Sequence, residues 1–140
     1  MQHGIYPQDL ADELKREAGK NMNDIFYPPS MTFWQALQTG RVDVFTSEKY
    51  LDFVRGLPCV ITGGKAEAHH LVGHGLKPVG GKVNDLLTFP LAPRMHRPEY
   101  AGSLHHLSGA VWEKEHGDQR IYVMQTLVEA VLRGVLRVAK

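Results

Sequence analysis

The chain has 140 residues, room for one domain and too few for two, since domains run to about 150 residues. An apolar share of 43% and a charged share of 22% exclude a disordered or fibrous chain, and 16 Lys and Arg against 15 Asp and Glu exclude a global field that would recruit a polyanion. The single cysteine, Cys59, excludes a disulfide framework and any zinc site needing two thiolates, while the lack of a leader or an apolar run of about 18 residues predicts a soluble, cytoplasmic protein with no membrane partner.

Residues 7–20 place Leu10, Ala11, Leu14 and Ala18 on one face, with Asp9, Asp12 and Glu13 early and Lys15, Arg16 and Lys20 late, which predicts a short surface helix oriented with its dipole. Residues 21–29 read as loop. Ser30 then caps a helix that turns Phe33, Trp34 and Leu37 to the core and stops at Gly40. Ser47 opens a third helix, with Tyr50, Leu51 and Val54 inward and Gly56 as its stop. Residues 59–62 are β-prone, Gly63 and Gly64 make a turn, and residues 66–72 form a second strand. The stretch 73–83 is too long for a plain hairpin loop. Residues 86–91 read as an apolar strand, Pro93 starts a short helix carrying His96, and 102–109 is irregular. Asp118 caps the last helix, where Ile121, Met124, Val128, Val131 and Val135 recur at spacings of three and four, widened by Leu127, Leu132 and Leu136. That stripe predicts core packing, with a second copy of the chain, hence a homodimer, as the other candidate neighbour.

All histidines but His3 lie between His69 and His116, so chemistry that uses imidazole is concentrated in a third of the chain. His69 and His70 abut on a strand, where neighbours point to opposite faces, so they cannot share a role. One can bind a metal while the other faces substrate. Phosphodiester cleavage needs that division, because a divalent ion neutralises charge on the phosphate and leaving oxygen while a separate base takes a proton from water. Imidazole, with an unperturbed pKa near ~6.5, suits either role. His74, His106 and His116 are assigned core or surface roles.

Ala-His69-His70-Leu, then Asn84-Asp85-Leu-Leu-Thr-Phe-Pro-Leu, then His96, resembles the HNH or ββα-metal nuclease motif. Residues 50–63 (YLDFVRGLPCVITG), 70–75, 85–91 and 112–119 (WEKEHGDQ) are similar, more narrowly, to the phage recombination-enhancement, RecA-dependent nucleases. The resemblance implies an α+β fold with a ββα-metal core, arranged as an N-terminal helical arm over 1–46 and a nuclease domain over 47–140 that a long C-terminal helix closes. It implies one divalent ion (Mg, Mn or Zn) on His69, His96 and a third ligand. For that ligand His105 is chosen, because Leu104-His105 matches a Leu/Ile-His pair in such relatives; His106 and Asp85 compete for the place. His70 is the implied general base. Asp85 stands where the middle Asn of the motif is usual, with Asn84 beside it, and either can orient His70 or pin the loop.

Many HNH proteins brace this fold with two CxxC pairs on a structural zinc. Here Cys59 is followed by Thr62, and Ala92 and Met95 stand where the second pair belongs, so packing by Cys59, Ile61, Leu91 and Met95 is expected in its place. The histidine expected four residues after His96 is Tyr100. The glycine loop fails GxxxxGK[ST], a deaminase lacks its second cysteine, and HExxH does not occur. Lys77, Lys82, Arg94 and Arg97 outnumber Asp85 and Glu99 within residues 69–100, a local excess suited to a phosphate backbone.

The sequence thus predicts a metal-dependent HNH endonuclease of phage or prophage type that cuts DNA to a 5′ phosphate and a 3′ hydroxyl. A RecA-type recombinase filament is the partner that the resemblance implies. The alternative is a DNA-binding recombination accessory protein with a structural metal and no cutting of its own. Residues 1–46, more acidic than basic, are not expected to touch DNA.

Overall fold

The computed structural model describes residues 24–25, 27–39, 42, 46–75 and 84–138. The helix expected over 7–20, the expected stop at Gly40, and Lys77 and Lys82 lie outside them. The described chain is mixed α+β, two small two-stranded sheets set among helices.

Within the segment expected to be loop, β1 (Asp24–Ile25) pairs in parallel with a strand at the far end of the chain. Thr32, not Ser30, caps α1 (Phe33–Gln38). The two residues compete for the same turn, and Thr32 closes a reciprocal box: its hydroxyl accepts from Gln35 N at 3.1 Å and its N–H donates to Gln35 Oε1 at 2.8 Å. Leu37 is buried, and Phe33 and Trp34 are half-buried against the core. Ser47 caps α2 (Glu48–Arg55) by accepting from Tyr50 N, and Gly56 ends it, as the sequence predicts. Tyr50 and Val54 point inward and are buried.

The β-prone residues 59–62 form a turn instead of a strand. Cys59 N–H reaches Gly64 O at 2.8 Å and Gly63 N–H returns to Cys59 O at 2.9 Å, while the Cys59 sulfur accepts from the backbone of Ile61 and Thr62. These local bonds use up the backbone groups that a strand ladder would need. Gly63, at φ 74°, supplies the left-handed residue that the turn requires.

The second strand, β2 (Glu67–His70), runs antiparallel to β3 (Thr88–Leu91), with His69 opposite Phe89 and His70 opposite Thr88. A 3-10 turn (Asp85–Leu87), capped by Asn84, occupies the start of the expected strand. Pro93 then opens α3 (Pro93–His96) at the position where its missing N–H is harmless. Leu104, fully buried, ties the following irregular segment to α3 by donating to Met95 O at 2.8 Å. Ser108 caps α4 (Gly109–His116), Asp118 caps α5 (Gln119–Leu132), and β4 (Arg137–Val138) completes the pair with β1.

The apolar stripe predicted for the last helix divides: Leu127 and Leu136 are buried and Val135 packs against the core, but the rest of the stripe turns outward. Ile121 is 57% exposed, Val128 53% and Leu132 75%, with Met124 and Val131 also exposed. The helix buries Gln119, Val123, Thr126, Leu127 and Ala130 instead. Apolar residues cover most of its circumference, so spacing alone cannot select the face, and two polar side chains go inside because they find partners there. Thr126 donates to Tyr122 O at 2.8 Å, and Gln119 reaches β2. Phe89 and Leu91 of β3 join Trp112, Val123 and Leu127 in one buried core. No helix among the described residues is long and apolar enough to cross a membrane.

Candidate metal centre

β2, α3 and the segment after α3 each deliver one imidazole to the same place. His69 is 1% exposed, wedged edge-on against Phe89 with ring centroids 5.0 Å apart. His96 lies 4.8 Å from it and His105 5.3 Å, and these two are 5.0 Å from each other, all between ring centroids. One ring nitrogen from each falls within 4.8 Å of the others. A tetrahedral ion with nitrogens at about 2.0–2.1 Å asks for nitrogen separations near ~3.3 Å, so small rotations close the set.

The donors fit a cation by more than proximity. His69 Nδ1 is buried with no hydrogen-bond partner, an orphan that costs energy unless something accepts its lone pair. Its other nitrogen, Nε2, meets Gln119 Oε1 at 3.1 Å. His96 shows the same division: Nδ1 faces Glu67 Oε1 at 3.2 Å, which leaves Nε2 for the cluster. Glu67 is gripped in turn by the Arg97 guanidinium, whose Nε lies 3.0 Å and 3.1 Å from the two carboxylate oxygens. That fork holds the Glu67 carboxyl below its usual range against the partial burial that would raise it. Burial, above all, pushes the His69 pKa down to about 3, so the ring stays neutral as ligation demands. His105 is lowered as well, by desolvation and then by His96.

Of the three competitors for the third ligand, His105 alone joins the cluster. Its N–H reaches His96 O at 3.4 Å, which docks its segment on the end of α3. His106 Nδ1 meets Pro98 O on the exposed side. Asp85 is engaged elsewhere, because its Oδ1 takes His70 Nε2 at 2.9 Å and its Oδ2 accepts Ser47 N–H at 2.8 Å.

The strand period separates the two abutting histidines as expected. His69 is sealed in the core, whereas the His70 side chain is 37% exposed and is held from behind by buried Asp85. Asn84 Oδ1 accepts from Leu86 N at 2.9 Å and caps the 3-10 turn. Of the basic residues, Arg94 is exposed on α3, two residues before His96, and Arg97 is committed to Glu67. His116 packs on Trp112 with centroids 4.8 Å apart. His74 leaves the core-or-surface expectation partway, since its Nε2 contacts Glu113 Oε2 at 2.7 Å.

Sequence reasoning missed Glu67, Ser47 and Gln119. Glu67 carried a usable signal, since it sits two residues before His69 and so on the same face of β2. Ser47 acts through its backbone and Gln119 from 50 residues away, and neither leaves a local pattern.

Residues 28–134 match the family described as "Protein of unknown function (DUF968)", a span that holds every residue of the cluster and of the His70–Asp85 pair. The "Uncharacterized protein YdfU" of Escherichia coli (strain K12) is 33% identical over 93 residues, which cover 66% of this chain and 25% of that protein. The chain thus spans about a quarter of the length of the relative it matches. No solved structure matches.

Proposed function

The chain belongs to the DUF968 family, and for this member we propose a metal-dependent DNA endonuclease of the HNH type, with β2, β3 and α3 as its ββα-metal core. One observation carries the reading. A buried histidine with one ring nitrogen unpartnered clusters with two further histidines, and the next residue along the strand is a part-exposed histidine backed by a buried carboxylate.

His69, His96 and His105 would hold one divalent ion, Mg, Mn or Zn. Bound there, it supplies neutralisation of the charge that builds on the phosphate and on the departing 3′ oxygen. The chain's own residues do the rest. Asp85 accepts from His70 Nε2 and leaves Nδ1 as the basic nitrogen toward solvent. His70 draws a proton from water, which attacks phosphorus in line and leaves a 5′ phosphate. Asp85 then stabilises the imidazolium as the proton arrives. Ser47 N–H, at the start of α2, holds the other oxygen of Asp85 so that the carboxylate cannot turn away. Arg94 is exposed on α3 and suited to a backbone phosphate.

The test incubates purified protein and supercoiled plasmid with Mg, Mn or Zn, with and without a RecA-type recombinase filament. Nicking that His70→Ala abolishes, with metal binding retained, is the expected result. Stable DNA binding without cleavage in any arm would overturn the enzyme reading in favour of an accessory protein. A His70→Ala protein that cuts at the wild-type rate would overturn the base assignment.

A further inference from the structure

We propose that Gln119 is a positioning residue that fixes which nitrogen of His69 is offered to the metal, an inference that rests on the metal centre above. The backbone of Val72 fixes the Gln119 amide. Gln119 Oε1 lies 3.2 Å from Val72 N, and Gln119 Nε2 lies 3.1 Å from Val72 O. A backbone N–H can only donate and a carbonyl oxygen can only accept, so these two bonds leave the amide a single orientation. Its oxygen, not its nitrogen, therefore faces His69 Nε2. An oxygen accepts, so His69 must carry its proton on Nε2. Nδ1 then keeps its lone pair; it is the buried ring nitrogen with no hydrogen-bond partner, and with Nε2 held by Gln119 it is the one left to offer to the cluster with His96 and His105.

Were the amide turned over, its NH2 would demand the lone pair of Nε2, and the proton would move to Nδ1, where it would point at the place of the ion. The tautomer of a core ligand is thus set by a residue of α5 acting through a backbone pair on the chain that leaves β2.

The position of Gln119 is itself braced. It is fully buried at the first residue of α5, and its backbone N–H donates to Glu113 Oε2 at 2.7 Å. The same carboxylate oxygen takes His74 Nε2. His74 stands at φ 60° between two left-handed glycines, a conformation that a non-glycine residue keeps only where its surroundings hold it. Glu113 thus links the loop after β2 to the start of α5 and holds Gln119 against Val72.

Ring nitrogen NMR on the metal-free protein tests the proposal first, with the expected result that His69 is protonated at Nε2 and bare at Nδ1. In Gln119→Leu both tautomers become populated, and Zn(II) and Mn(II) titrations show affinity weakened by 10–100-fold, the usual consequence of losing a ligand's outer hydrogen bond. Val123→Ala, which thins the same helix's core contact without touching His69, leaves metal affinity unchanged and so separates positioning from mere stability. A proton on Nδ1 of wild-type His69 overturns the inference whether or not Gln119→Leu folds. So does a folded Gln119→Leu that binds both ions as tightly as wild type. A protein that meets these expectations but never cuts DNA keeps this inference and loses the nuclease reading; wild-type protein that binds neither ion overturns both.

Discussion

Asp85→Asn tests the catalytic arrangement most sharply, because it alters one atom of a buried group with two defined partners. Asp85 Oδ2 accepts Ser47 N–H at 2.8 Å and Oδ1 accepts from His70 Nε2 at 2.9 Å. An asparagine amide has one oxygen, and Ser47 N–H can only donate, so that oxygen stays with Ser47. The NH2 group then faces His70 Nε2 and requires its lone pair, which shifts the ring proton to Nδ1 and removes the base. Loss of charge assistance on the Ser47 bond costs about 1 kcal/mol, a small change in melting temperature. Loss of the base costs about 10²–10⁴-fold in cleavage rate. Asp85→Ala reverses the balance for stability: it strands a buried N–H at the start of α2, for about 1–3 kcal/mol, and leaves His70 free to rotate. Neither change touches His69, His96 or His105, so metal affinity should hold for both. Single-turnover plasmid nicking, thermal melting and metal titration on the three proteins measure these quantities side by side. An Asp85→Asn protein that cuts at the wild-type rate would refute the orientation of His70 by Asp85.

Acid should destabilise the metal-free protein through His69, which burial keeps neutral down to about pH 3 in the fold against 6.5 in the unfolded chain. Above pH 6.5 neither state carries the proton; below it only the unfolded chain does, so stability falls with pH by up to ~1.4 kcal/mol per unit until the folded pKa is reached. Urea unfolding from pH 7 to 4 reads this slope, which His69→Gln should flatten, and an unchanged slope in that variant rejects the burial account. On α5, Val128→Lys should change stability by no more than about 0.5 kcal/mol and Leu127→Ala should cost about 2–4 kcal/mol, a contrast that denaturant melts resolve and that fails if Ile121, Val128 and Val131 form the packed face. Zn(II) at a hundred times its Kd should stabilise the wild-type fold by about 2.7 kcal/mol and leave His96→Ala nearly unmoved, whereas an equal shift in both would place the ion elsewhere.

Much of the candidate site was legible because its signals are local or strictly ordered. The abutting histidines announce their division of labour through the strand period, and Pro93 and Ser47 mark helix starts that the structure keeps. His105 could be chosen only over open competitors, and geometry separates them: Leu104 is buried and docks on Met95, which turns His105 toward His96 and leaves His106 outside. Asn84 and Asp85 are neighbours of nearly equal hydrogen-bonding capacity, and only the tertiary approach of Ser47 tells them apart. The buried face of α5 was illegible for a different reason. Its apolar residues outnumber the places in the core, and the face is chosen by Gln119, a polar residue whose partners lie far off in the chain. The two-residue strands β1 and β4 are too short to show any period.

The corner around Cys59 is held by packing and hydrogen bonds. Burial would raise the Cys59 thiol, yet hydrogen bonds from Thr62, Ala92 and Ile61 outweigh it and lower the pKa, so the sulfur is engaged as an acceptor within the turn. The HNH proteins that the sequence resembles place thiolates at the positions of Thr62, Ala92 and Met95, and one sulfur with a hydroxyl, a methyl and a thioether makes a poor zinc site. The same residues are recruited to apolar packing. Cys59, Leu91 and Ala92 are buried in the core, and Ile61 and Met95 pack against it. The turn is further tied to β3 where Val60 N–H meets Pro90 O at 3.1 Å. Cohesion at this corner is therefore a property of area and backbone pairing, which no chelator removes. The proposed ion would enter at the three histidines, whose segments are anchored by the protein's own contacts, β2 by its ladder with β3, α3 by the Glu67–Arg97 fork to β2, and the His105 segment by Leu104 on α3. The three histidines are thus brought together by the fold itself, so the proposed ion would bind a set already assembled and could exchange without unfolding the chain.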